Sequence, residues 1–109
     1  MRLDELTIGE AKQLAAMFSA PDTTGPWEIG KVYLIRTVTM IDTGRLVAVT
    51  QQELVLEEAA WIADTGRFAQ AVSKADFGEV EPFPDGRVII GRGSIIDAVV
   101  IHATQRSQR

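Results

Sequence analysis

Arg87-Val-Ile-Ile-Gly-Arg-Gly-Ser-Ile-Ile-Asp-Ala-Val-Val-Ile101 is the stretch that decides the fold. Two apolar, largely β-branched runs flank Gly91, Arg92 and Gly93. β-Branched residues favour strands, and only glycine takes positive φ without strain, so the stretch predicts two strands reversing at Gly91 and Gly93. An arginine in such a turn projects from a rigid frame, which makes Arg92 a candidate binding residue. A dinucleotide fingerprint would need a third glycine and a following helix, whereas residues 94–101 read as a strand.

Upstream, residues 31–41 are rich in Val, Ile, Tyr and Thr and predict a strand. Val32, Leu34, Arg36, Val38 and Met40 share one face and Tyr33, Ile35, Thr37, Thr39 and Ile41 the other, so both faces are partly apolar. Asp42-Thr-Gly44 reads as a hairpin turn with glycine at positive φ. Residues 45–50 then return as a second strand, and residues 53–58 form a third centred on Leu54-Val-Leu56. In residues 59–86, an excursion, Asp64 is placed to cap a short helix running to about Ser73 that buries Phe68, Ala71 and Val72. Glu79-Val-Glu-Pro-Phe-Pro-Asp-Gly86 reads as an irregular link, because proline removes a ladder donor. Near the N-terminus, Thr7 and Glu10 form a capping box, and Ala11, Leu14, Ala15 and Phe18 recur at helical spacing, predicting a helix over residues 8–18. Trp27, in the loop over residues 19–30, is expected to lid an edge of the core. The expected architecture is one mainly-β domain over residues 1–109, with a β core over residues 31–58 and 87–102.

An N-terminal helix followed by five short, bent antiparallel strands is similar to the plan of small SH3-like barrels, including Sm-like proteins. Ile89-Ile-Gly-Arg-Gly-Ser-Ile-Ile96 resembles the second Sm motif, with Arg92, Gly93 and Ser94 at its turn positions. Leu54-Val-Leu-Glu-Glu-Ala59 resembles the end of the first motif, and Thr43-Gly-Arg-Leu46 its glycine turn. The resemblance covers about half the chain. It implies a homo-oligomeric ring and a ligand site at the Arg92 turn. Where RNA-binding members carry a base-contacting asparagine, this chain has Glu53, which cannot donate a hydrogen bond and repels phosphate. Val49 stands near the usual second glycine of the first motif. Longer phrases, among them Gly30-Lys-Val-Tyr-Leu-Ile-Arg-Thr-Val-Thr39, resemble uncharacterised tailed-phage and prophage proteins across nearly the whole chain, which implies a viral origin and no particular activity.

Composition narrows the function classes. The 109 residues carry 11 Lys and Arg against 15 Asp and Glu, a net charge of −4. That opposes general binding of a phosphate backbone, which needs a positive field. The last segment, with His102, Arg106 and Arg109, reads as a solvated basic tail. With no cysteine, disulfides, thiolate metal sites and cysteine nucleophiles are excluded. No apolar run approaches the ~20 residues of a membrane span, so a cytoplasmic protein without membrane association is expected. Ser94, Asp97 and His102 do not converge as a triad, because Ser94 and His102 share strand parity and Asp97 does not. Glu53, Glu57 and Glu58 lack the loop spacing of a calcium site. No enzyme, cofactor or metal is expected.

The leading expectation is a non-enzymatic ring-forming module whose ligand site comprises Arg92, Gly93, Ser94, Arg45 and Glu53. Single-stranded RNA is a candidate ligand. The alternatives are an assembly component of a phage particle, or a sequestering protein in which Arg92 and Arg45 grip nucleotide phosphates between subunits. Unpaired apolar edges invite strand pairing. Leu54, Val55 and Leu56, with Val88, Ile89 and Ile90, are therefore the expected edges of neighbouring subunits. Asp97, a charge inside an apolar run, is expected to face outward or to pair between subunits with Arg36, Arg87 or Arg92.

Overall fold

Strands form mainly where β-branched and other apolar runs are bounded by turn residues. In the computed structural model, which describes residues 24–109, these are β1 (Val32–Thr37), β2 (Ile41–Val49), β3 (Glu53–Asp64), β4 (Glu79–Pro82), β5 (Val88–Gly91) and β6 (Ile95–Ile101). One helix, α1 (Phe68–Lys74), lies between β3 and β4, and a single 3-10 turn, Arg92–Ser94, joins β5 to β6. The helix expected over residues 8–18 falls outside the described residues. No helix among the described residues is long and apolar enough to cross a membrane.

All pairings are antiparallel, in the order β4-β3-β2-β1-β6, with β5 also on β3. β2 occupies one edge of β3 along its length. β5 and β4 therefore share the other edge end to end, β5 on Glu53–Leu56 and β4 on Ala60–Asp64. The join is a bulge. Glu58 takes φ 52, and the β2–β3 register shifts between Thr43 and Arg45. There the Ala59 N–H donates to the Gly86 carbonyl at 2.8 Å and the Phe83 N–H to the Ala59 carbonyl at 3.0 Å. Six strands thus form where five are expected. β3 runs on through Ala60–Asp64, and the Glu79–Pro82 segment pairs with it as an edge strand, a place that tolerates proline.

Both faces of β1 are buried, each in its own cluster. Val32 and Leu34 pack with Ala60, Ile62, Ala71, Phe77, Val80 and Ile101, under α1 and β4. Tyr33 and Ile35 pack with Leu46, Leu54, Leu56, Ala59 and Ile90, in the concavity of the bent sheet. This accounts for the two-sided apolar pattern at residues 32–35, whereas Val38 and Met40, expected in the same strand, are exposed in the turn that follows it. Trp27 closes the second cluster edge-on to Tyr33, centroids 5.0 Å apart, as expected of a lid.

Several expectations need correction. The hairpin between β1 and β2 turns at residues 38–40, closed by the Thr37 N–H donating to the Met40 carbonyl at 2.8 Å. Gly44 lies inside β2, opposite Tyr33, and its φ is not positive. Close packing is what requires glycine there: a Cβ would stand 3.0 Å from Leu56 Cβ and 3.1 Å from Ala59 Cα. Asp64 does not cap α1, whose N-cap is Arg67; its Oδ1 accepts from the Gly66 N–H at 2.9 Å. Phe68 is exposed and lies under the Arg36 guanidinium at 4.9 Å, so Ala71 alone is the fully buried residue of the helix. The basic tail is exposed at His102, Arg106 and Arg109, as expected, and is also tied to the sheet. Arg106 Nη1 donates to the Ala59 carbonyl at 2.7 Å, Arg109 pairs with Asp76 at 3.1 Å, and the Arg109 and Val80 backbones exchange hydrogen bonds.

Candidate functional site

The β2–β3 loop and the β5–β6 turn meet at one end of the sheet. Register sets Glu53 opposite Gly91. The Arg92 N–H donates to the Gln52 carbonyl at 2.8 Å, and Arg92 Nη1 donates to the Thr50 carbonyl at 2.6 Å. Thr50 stiffens its own loop: its Oγ1 accepts from the Glu53 N–H at 2.9 Å. On the other side, Ser94 Oγ donates to the Gly91 carbonyl at 2.7 Å, and the Ser94 carbonyl accepts from the Val38 N–H at 2.9 Å. Arg92, Gly93, Ser94 and Glu53 are thus brought together as expected. Arg45 is held elsewhere, its Nε on Glu58 at 3.1 Å and its Nη1 on the Gly30 carbonyl at 2.8 Å.

The expectation that Gly91 and Gly93 reverse the chain through positive φ is corrected. Neither has positive φ, and a Cβ at either would meet nothing within 4 Å. A 3-10 turn makes the reversal with ordinary backbone angles. Nothing among the described residues requires glycine at these two positions.

The expected subunit edges are also corrected. Leu54, Val55 and Leu56 are buried between β2 and β5, and they pair with Ile90, Ile89 and Val88 of the same chain. The two proposed edges satisfy each other. Of the six residues only Ile89 is exposed, at 57%, on a strand whose sole partner among the described residues is β3.

Arg36 and Asp97, offered as an intersubunit pair, face each other across β1 and β6 of one chain. Arg36 Nε donates to Asp97 Oδ1 at 2.8 Å and Nη2 to Oδ2, a bidentate fork. The guanidinium's hydrogen bonds and charge hold the Asp97 carboxyl below its ordinary range. Glu58 is lowered likewise, first by Arg45 and then by the Thr104 hydroxyl. Both groups therefore favour the folded state above the unfolded carboxylate pKa, and that contribution disappears as pH falls through their folded values. Because the Arg36–Asp97 pair is intrachain and half-exposed, Arg36→Ala and Asp97→Ala should each leave the oligomeric state unchanged. A double-mutant cycle should show a small coupling that shrinks with added salt. Dissociation of an assembly by either single variant, read by light scattering, would restore the intersubunit reading.

A second concavity was not foreseen. Asp42 stands opposite Trp61 across β2–β3, and Trp61 stands opposite Glu81 across β3–β4. This row lines a groove of about 380 Å³ walled by Met40, Phe83 and Pro84. Asp42 is 7% exposed, and burial pushes its carboxyl up. Taking residues 42–44 as a turn hid it, since a turn aspartate is ordinarily solvated. The available signal was the alternation of Asp42 between Ile41 and Thr43 in a strand. Among the described residues no group of three or more His, Cys, Asp or Glu side chains is placed to hold a metal ion. Comparison with known protein families, curated proteins and solved structures finds no match to this chain.

Proposed function

We propose that the chain is a non-enzymatic, phage-related Sm-like module that assembles with copies of itself into a ring and takes a ligand at the Arg92 turn. The observation that carries this reading is the pair of open edges. Among the described residues β5 pairs only with β3 and β6 only with β1, yet the two strands are joined by the three-residue turn Arg92–Ser94. Each chain thus offers one free edge on either side of that turn, and edges with unpaired N–H and C=O groups are templates for pairing. A head-to-tail contact of β5 on β6 of the next copy satisfies both and closes when the rotation per subunit divides a full turn. Ile89, exposed at 57%, and Ile96, at 65%, supply apolar surface on these two strands.

The half-exposed Arg92, its backbone N–H held by the Gln52 carbonyl and its guanidinium by the Thr50 carbonyl, is the positively charged group of this turn. Glu53 beside it disfavours a polyanionic ligand, so RNA of the family type should bind weakly and lose affinity steeply with salt.

Native mass spectrometry tests the assembly. Wild-type protein should appear as one closed oligomer. Ile89→Lys should appear as a monomer with an unchanged circular dichroism spectrum, because the side chain is exposed in the isolated chain, and its thermal transition should no longer depend on protein concentration. A wild-type monomer at every concentration, or an Ile89→Lys oligomer of wild-type size, overturns the ring.

A further inference from the structure

The Asp42 groove has the composition of a cation site. Asp42 is more than nine-tenths buried, and neither a hydrogen bond nor an ion pair reaches its carboxylate from the described residues. No buried side-chain oxygen among those residues is sealed off without a partner, so this carboxylate opens into the groove it lines. A carboxylate so placed has lost much of its hydration without gaining a counter-ion.

The walls specify which counter-ion fits. Trp61 and Phe83 offer aromatic surface and Met40 a polarisable thioether, while Glu81 adds a second negative charge. Among the described residues no lysine or arginine lines the groove, so an anion finds no partner among them. Among the described residues no third His, Cys, Asp or Glu joins these two carboxylates, and the rest of the wall is apolar. A volume of about 380 Å³ lies at the lower end for small-molecule sites.

We propose that this groove binds a small organic cation, an ammonium group on an apolar stem, with Asp42 as counter-ion and Trp61 and Phe83 as walls. The ammonium donates to the Asp42 carboxylate, and the stem lies along the aromatic rings. The site is formed within one chain and stands independently of the ring and of the Arg92 turn.

The test is an NMR titration of the full chain with 2-phenylethylammonium chloride and, in parallel, with the neutral 2-phenylethanol. The ammonium should give saturable shifts confined to residues 40–42, 61 and 81–84, with Kd about 1 mM or tighter. The alcohol should bind at least about tenfold more weakly, as should the ammonium to Asp42→Asn, since each loses a charge-assisted hydrogen bond. Asp42→Asn removes a buried charge and should fold at least as well as wild type. In the wild-type protein, acidification through the raised pKa of Asp42 should weaken binding; Glu81 is the other titratable group lining the groove. Equal affinity for the alcohol, unchanged affinity of Asp42→Asn, or no saturable shift with the ammonium would each overturn the proposal.

Discussion

Gly44→Val should leave the protein without a cooperative thermal transition. The reason is position rather than backbone freedom. Gly44 lies in the middle of β2, where β3 bends toward it after the Glu58 bulge. A Cβ there stands 3.0 Å from Leu56 Cβ, and 3.1 Å from both Cα and Cβ of Ala59. All three atoms belong to or adjoin the β3 backbone, so no flexible side-chain tip can swing aside. Gly44→Ala should already cost about 2 kcal/mol, typical of overpacking in a filled interior, and lower Tm by roughly 10 °C for a chain of this size. Valine adds two methyl groups to the same space, in a protein whose total stability is expected to be about 5–15 kcal/mol. Gly93→Ala is the control: a Cβ there meets nothing within 4 Å, and its melt should match wild type. A Gly44→Ala melt indistinguishable from wild type, measured by circular dichroism, would show that the two strands do not approach as described.

Phe77→Ala should produce the second large loss, about 3–4 kcal/mol, from a cavity beneath the helical layer. Phe77 is 3% exposed and packs in the cluster that contains Ala71, Ala75, Ile62 and Val80. The helix contributes only small side chains to that cluster, so Phe77 supplies most of the apolar volume between α1 and the sheet. The loss should be uneven. Hydrogen exchange should quicken first at the amides of α1 and β4, while β1 and β2 keep the second cluster, built around Ile35, Leu46 and Leu56, on their far side. Uniform acceleration across all six strands would mean that the two clusters unfold as one unit.

The legible parts of the fold were those in which residue type and spacing agree. Residues 31–37 are rich in Val, Tyr, Ile and Thr, and β1 forms over Val32–Thr37. The Leu54-Val-Leu56 and Val88-Ile-Ile90 runs form strands, and the Arg92 turn lies between β5 and β6. Partnership was not legible. Whether Leu54–Leu56 and Val88–Ile90 face another copy or each other depends on the path of residues 59–86, which no local pattern reveals. Glycine misled for a related reason. Gly44 was taken as a turn residue because a bare Cα serves turns and close contacts alike, and only the position of Ala59 distinguishes the two. The Arg36–Asp97 pairing was foreseen in chemistry but not in connectivity, since the register of β1 on β6 sets which chain supplies the partner. The Asp42 groove escaped because its row of residues comes from three strands, one of them in a segment read as irregular.

The outer rim beyond β3 is cut into two pieces of four residues each, β4 and β5. Between them, residues 83–87 are diverted to hydrogen-bond the bulge, and Arg106 ties that diversion down from the tail. Val80, in the first piece, already trades hydrogen bonds with Arg109. Among the described residues only the second piece lacks an outer partner, over a length of about 13 Å at the usual rise per residue. So short a landing strip rejects the long, flat stacking that seeds fibrils and admits a partner in few alignments. The interruption at Glu58 thereby acts as a ruler for whatever docks alongside.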